Sequence, residues 1–244
     1  AFAKGDIDHE VWLTDMIRKH GIGGVIFFQG EPGRQAAMIN YFRKISKVPP
    51  MIVTDGEWGA GMRMTGIEKF PYQLTLGAIN NDSLIYKMGT VVAEQFNRAG
   101  ININLAPVAD LNNNPENPVI NFRSFGEDPE KAAGKALMYM KGMQENGVMA
   151  VAKHFPGHGD TEVDSHLELP VIRHSMDRLR TVELVPFISL IDAGVSGIMP
   201  GHISLPLIDT IENLPVTVSG RILSGLLKND LAFKGLVLSD AMNM

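Results

Sequence analysis

Six short apolar runs, each leading into polar or charged residues, recur along the chain. They are GGVIFFQG (23–30), PPMIVTDGE (49–57), ININLAPVAD (101–110), VMAVAKHFPGHG (148–159), VSGIMPGHIS (195–204) and GLVLSDAMNM (235–244). Each is rich in Val, Ile, Leu or Met, so each reads as a strand buried on both faces. Helical patterns lie between them. In the segment 82–100 the apolar residues Leu84, Met88, Val91, Val92 and Phe96 are assigned to one face, with Asp82 or Ser83 as cap and Gly100 as stop. Asp128 ahead of Pro129 opens a second helix and Gly147 closes it. A third pattern runs from Ser175 to Gly194, with Pro186 as a kink or break, and a fourth leads from Ser219 into the last strand.

Strand and helix in alternation imply parallel β/α units. No GxGxxG follows the first strand, which argues against a doubly wound dinucleotide fold. The expected fold is an α/β (β/α)8 TIM-type barrel, truncated here to about six of the eight units. The length of 244 residues suits one domain, 1–244, incomplete at its C-terminal end. The chain has no initiator Met and ends just past Asp240, so a segment of a longer protein is expected, one that continues with further units or another domain. A net charge of -5 with no basic stripe argues against nucleic acid or an anionic membrane as partner. No apolar run approaches the roughly 20 residues of a transmembrane helix. Cysteine is absent, which removes disulfide and thiolate chemistry and leaves the compartment open between cytoplasm and export.

In a barrel the chemistry collects at the C-terminal ends of the strands. Those ends carry Asp55, Asp110, Lys153 with His154, His202 and Asp240. One polar residue after an apolar run is an ordinary cap or turn; five strand ends with ionisable groups make a polar pocket. One of them opens KHFPGHGDTEVDSHLELP (153–170), which concentrates His154, His158 and His166 with Asp160, Glu162, Asp164 and Glu168. A metal needs such groups to converge on one point. HxH, HExxH and paired-Cys spacings are missing, and Pro156–Gly157 breaks the helix that would align His154 with His158. The segment is therefore read as a mobile arm for proton transfer, with neither metal nor cofactor. Asp164 and His166 are two apart and point to one side of an extended chain. A carboxylate beside an imidazole fixes its tautomer and suits it to acid/base work near neutral pH. Asp240 reads equally as a helix cap or as a reacting carboxylate. Two such groups flanking one pocket suit cleavage of a glycosidic bond.

The same segment resembles the characteristic loop of glycoside hydrolase family 3, in its β-N-acetylglucosaminidase branch. VTDGEWGAGMRM, NFRSFGEDPE and GLVLSDAMNM agree with that family in order along the chain. The resemblance implies a barrel enzyme that removes terminal β-GlcNAc from glycans such as peptidoglycan fragments, with retention of configuration. It implies Asp240 as nucleophile, His166 as acid/base and Asp164 as its partner. Asp55, Arg63, Arg123, Lys153 and His154 would hold the non-reducing-end sugar. If Lys153 approaches Asp240, it would keep that carboxylate ionised. A histidine acid/base is neutral when deprotonated and repels an incoming anion less than a carboxylate does, so phosphorolysis stays open beside hydrolysis. A β-glucosidase of the same family, a metal-dependent barrel hydrolase and a non-catalytic sugar-binding fragment are the other readings.

Trp58 stands where the family more often has glycine, and either lies against a sugar face or packs a neighbouring loop, the latter favoured. His202 is assigned to the pocket wall. Residues 112–118, NNNPENP, form a loop expected to position Arg123. The local cluster Met62, Met64, Met138, Met140 and Met143 fills the core. Arg34, Arg43 and Lys44 are read as solvated helix faces.

Overall fold

The computed structural model of the chain describes residues 1–3, 5–162 and 168–242. Eight strands are formed: β1 (Phe2–Ala3), β2 (Gly24–Phe27), β3 (Gln29–Gly30), β4 (Met51–Thr54), β5 (Ile103–Asn104), β6 (Met149–Phe155), β7 (Gly197–Pro200) and β8 (Leu236–Val237). Six of them make one parallel sheet in the order β2-β4-β5-β6-β7-β8; β1 pairs with β3 alone. The sheet curls into part of a TIM-type barrel with helices outside it, which is the fold the alternating pattern implies.

The central strands are buried on both faces and serve two cores, whereas β2 and β8, expected to be buried alike, lie at the open edges of the sheet and expose Gly24, Ile26, Leu236 and Val237. Outward-facing Ile52, Ala150, Ala152 and Ile198 join the large core beneath the helices. Their neighbours Val53, Val151 and Met199 face inward and form a small second cluster with Ile103 and Leu105. Side chains alternate across a strand. The inward parity of Val53, Val151 and Leu238 therefore carries forward two residues, to Asp55, Lys153 and Asp240.

The helices are α1 (Ile7–Asp15), α2 (Pro32–Ile45), α3 (Gln73–Gly77), α4 (Ser83–Ala99), α5 (Pro129–Gln144), α6 (Met176–Thr181) and α7 (Val185–Asp192). A π-helical segment, Arg221–Asp230, precedes β8. Asp128 caps α5 by accepting from the amides of Glu130 and Lys131, with Pro129 in the first turn, as expected. Ser175 caps α6, and the break falls before α7, whose first turn contains Pro186. On α4 Asp82 occupies the N-cap position, as expected, but its side chain makes no capping bond; Asn81 instead accepts from the Ser83 amide and hydroxyl. The predicted face of α4 also shifts: Leu84 and Val91 are exposed, while Ile85, Gly89 and Ala93 join Met88, Val92 and Phe96 inside. Glycine is what α5 needs there, because Gly89 lets the helices approach until its Cα lies against Gly142. Arg43, expected in solvent, donates to the Gly100 carbonyl at 2.8 Å and ties α2 to the end of α4. Among the described residues no helix is long and apolar enough to cross a membrane.

Candidate active site

A cavity of about 610 Å³ opens at the C-terminal ends of the strands. Asp55, Arg63, Arg123, Lys153, His154 and Asp240 all line it. Strand parity explains the inward aim of Asp55, Lys153 and Asp240. It does not explain His154, which would point outward in a regular strand. The β6–β7 register shifts between Lys153 and Phe155. That irregularity re-aims a side chain, so adjacent residues reach the same cavity.

The centre of the site is a network of alternating charge. Lys153 Nζ lies 2.7 Å from Asp55 Oδ1 and 2.8 Å from Glu57 Oε1. Arg63 donates to Asp55 Oδ2 at 2.6 Å and to its backbone carbonyl at 2.7 Å. Arg123 grips Glu57 with two nitrogens, Nη2 to Oε1 at 2.7 Å and Nε to Oε2 at 3.0 Å. Glu57 has no exposed surface. Burial alone would raise its pKa, but Lys153 and Arg123 outweigh burial and hold it down to about 2. Lys153 behaves correspondingly: burial pulls it down, and the fields of Asp55 and Glu57 more than reverse that, leaving it above its ordinary value.

Glu57 was not anticipated from sequence, although it stands two residues beyond Asp55 in DGEWG. Its position depends on distant groups. Asn104 accepts from the Gly56 amide at 2.9 Å and donates to the Gly56 carbonyl at 3.1 Å. Tyr139 donates to that carbonyl at 3.2 Å. A Cβ at Gly56 would come within 2.5 Å of Phe96, so the strand end lies flush on α4 only with glycine there.

Asp110 holds a second group. Its carboxylate accepts from the amides of His154 and His158 and lies 2.7 Å from His154 Nδ1. Burial opposes its charge, yet His154 and these hydrogen bonds keep its pKa lowered. An ionised carboxylate only accepts, so Nδ1 of His154 carries the hydrogen and Nε2 is left to the cavity. His158, also missed as a wall residue, lines the cavity with Nδ1 3.0 Å from Thr161 Oγ1. Burial and the neighbouring His154 lower its pKa.

The first part of the expected mobile arm is instead packed. Residues 155–159 and Thr161 are buried. The cause is the loop 112–118: Asn117 donates to the carbonyls of His158 and Gly159 and to Thr161 Oγ1. The same side chain accepts from the amides of Val119 and Ile120, and Arg123 Nη1 donates to Val119 O at 3.2 Å. The loop thus positions Arg123, as expected. Asp164 and His166 lie outside the described residues.

Three placements depart from expectation. Asp110, expected at the pocket, is buried and does not line it, because its carboxylate is taken by His154 and by the His158 amide. His202 is not a wall residue; it bridges Thr217 Oγ1 and the Ala241 carbonyl, each at 2.9 Å, and so steadies the segment after β8. Lys153 makes no ion pair with Asp240 among the described residues, because Asp55 and Glu57 already take its ammonium group. Asp240 accepts from the amide of Ala241. Trp58 packs edge-on against Tyr72 at 4.8 Å, the favoured reading, and also lines the cavity.

His154 and His158 each have a partner at Nδ1, Asp110 and Thr161. Among the described residues the one His/Asp/Glu group close enough to share an ion is Asp160, His174 and Glu183, away from the cavity wall. There His174 Nε2 lies 2.9 Å from Asp160, and Glu183 is taken by Asn113 and Arg178.

A cavity lined by fixed cations, their carboxylate partners and the further carboxylate of Asp240 offers donors and acceptors suited to a polyhydroxylated ring. The chain is 34% identical to β-hexosaminidase A of Pseudoalteromonas piscicida over 95% of its length and 43% of that protein. It superimposes on a glycoside hydrolase family 3 β-N-acetylglucosaminidase from Paenibacillus sp. str. FPU-7 with a TM-score of 0.92 and 35% identity, covering 99% of this chain and 47% of that one. Native NagZ from Neisseria gonorrhoeae gives 0.87 and 30%, covering 100% and 72%. The chain thus spans less than half of the first two relatives. Residues 6–244 match the family described as glycosyl hydrolase family 3 N terminal domain. The chain belongs to that family.

Proposed function

We propose that the chain carries the catalytic barrel of a retaining exo-β-N-acetylglucosaminidase, acting on terminal β-GlcNAc in glycans such as peptidoglycan fragments. The observation that carries this reading is the shared cavity. Asp240 lines it together with the charged cluster of Asp55, Arg63, Glu57, Arg123 and Lys153. The names of the relatives, β-hexosaminidase and β-N-acetylglucosaminidase, supply the sugar.

In this reading the hydroxyl edge of the terminal sugar meets Asp55, Arg63, Lys153 and His154, with Arg123 beside them. Asp55 accepts from hydroxyls, and the cations donate to hydroxyl oxygens while staying charged. Asp240 attacks the anomeric carbon as the bond to the aglycone oxygen breaks, and that oxygen takes a proton from His166, held by Asp164. The second step reverses the roles. His166 takes a proton from water, water displaces Asp240, and the product keeps its configuration.

The test is turnover of a chromogenic β-GlcNAc and the matching β-glucoside, each with and without phosphate. Hydrolysis of the GlcNAc substrate with β-GlcNAc as first product is expected. Equal or better turnover of the glucoside sinks the GlcNAc reading. A strong rate increase with phosphate, yielding sugar 1-phosphate, converts it to phosphorolysis, and loss of activity with chelator points to a metal hydrolase. Asp240→Asn should cut kcat by at least roughly 10³-fold. Its melting temperature should stay unchanged, because an asparagine oxygen still accepts from the Ala241 amide.

A further inference from the structure

Both ion-pair partners at the head of the cavity are followed or preceded in sequence by an aromatic residue. Trp58 follows Glu57, and Phe122 precedes Arg123. The Glu57–Arg123 pair therefore fixes the spacing of the two rings as well as the two charges. Both rings line the cavity. Tyr72, just ahead of α3, joins them from behind: its centroid is 4.8 Å from Trp58, edge to face, and 4.5 Å from Phe122. The backbones are tied as well. The Phe70 amide donates to Trp58 O at 3.1 Å, and Gln73 donates to Arg123 O at 2.6 Å. Phe122 nevertheless keeps 43% of its surface exposed. An apolar ring held rigidly at a cavity mouth, half in water, gains by being covered.

The shape of the cover follows from what surrounds it. A pyranose has a hydroxylated edge and two faces of C–H bonds. The cavity has charged groups suited to the edge, set at fixed spacing against rings suited to a face. We propose that Trp58 and Phe122, braced by Tyr72, form a stacking wall for the apolar face of the sugar whose edge meets Asp55 and Lys153. The proposal rests on the glycosidase reading and adds two sugar-contacting residues to it.

Fluorescence tests this directly, because the chain holds two tryptophans. Trp12 lies on α1, away from the cavity wall, and stacks on His9. In a Trp12→Phe variant the emission comes from Trp58 alone. Titration with GlcNAc should give a saturable change whose midpoint equals that from calorimetry. Phe122→Leu, which keeps apolar bulk but removes the ring, should weaken GlcNAc binding about 3- to 10-fold with no change in melting temperature. Phe122→Ala should weaken it at least as much. Calorimetric binding of GlcNAc with unchanged Trp58 emission and normal affinity in Phe122→Leu overturns the wall and leaves the glycosidase reading standing. Glucose giving the Trp58 response where GlcNAc gives none sinks the GlcNAc assignment and supports the wall. Failure of both sugars to bind overturns both.

Discussion

At Glu57 a carboxylate without exposed surface touches two cations that also serve the rest of the cavity. Removing one partner of a buried ion pair leaves the other charge uncompensated, at a cost of about 3–5 kcal/mol. Glu57→Gln should therefore lower the unfolding free energy from urea denaturation by that order, although the amide matches the carboxylate in shape. It should also remove an acid limb. The folded pKa of Glu57, about 2, lies below its ordinary 4.5, so its contribution is full above pH 4.5 and is lost as pH falls from there toward 2. Unfolding midpoints collected from pH 5 to pH 2 should fall less steeply in the variant; an identical slope would show that Glu57 is not held ionised. Asp55, two residues away, was legible as a site residue because it stands at the C-terminal end of an apolar run. Glu57 was not, because its charge partners come from residues 123 and 153.

Two elements carry testable packing. Asn117 is a single side chain that joins the loop 112–118 to the segment after β6, through donations to His158 O, Gly159 O and Thr161 Oγ1. Asn117→Ala takes this partner from the Gly159 carbonyl and from the amides of Val119 and Ile120, at about 1–3 kcal/mol for each that finds no substitute, while His158 O and Thr161 Oγ1 keep each other. Chemical denaturation should show that loss. GlcNAc affinity should drop with it, since Arg123 and His158 share the same anchor. The α4–α5 contact makes the second case. A Cβ at Gly89 would come within 2.7 Å of Tyr139 O and 3.0 Å of the Gly142 Cα. Both are backbone atoms that cannot move aside cheaply. Gly89→Val should therefore destabilise by about 1–3 kcal/mol through overpacking, seen as a lower melting temperature. Helix propensity alone gives the opposite sign, as valine is the better helix former. Element positions were readable from runs, caps and breaks. Faces were less so, because α4 is covered on two sides, by the sheet and by α5, and its glycine at position 89 counts as interior.

For the whole molecule the buried ionisable groups set a window of stability. His158 has a folded pKa below its ordinary 6.5, so its contribution is present above pH 6.5 and is lost as pH falls below it. Lys153 has a folded pKa above 10.5, so its contribution is full below pH 10.5 and is lost as pH rises through the folded value. Stability should decline below about pH 6.5 through His158 and above about pH 10 through Tyr139, whose pKa burial raises from 10.0, and Lys153. Urea midpoints across both limits check it. His158→Gln should flatten the first part of the acid decline, and an unaltered acid profile would assign that limb elsewhere.

The sequence alone carries the alternation of strands and helices, most helix starts and stops, and the placement of Asp55, Lys153, His154 and Asp240 at strand ends facing one pocket. Those properties rest on short-range physics, the two-residue period of a strand and the local chemistry of caps and breaks. It also determined the family, through motifs whose order along the chain is specific. The rest depends on contacts between residues distant in sequence. The shift at His154 turns that ring inward against strand parity. Glu57 becomes the hub, and Asp110 the clamp on two histidine segments. His202 serves the Ala241 backbone rather than the cavity. Each of these depends on partners tens of residues away, and the energy of a charge or a polar group in a protein is set by what it is buried against, which no local pattern records.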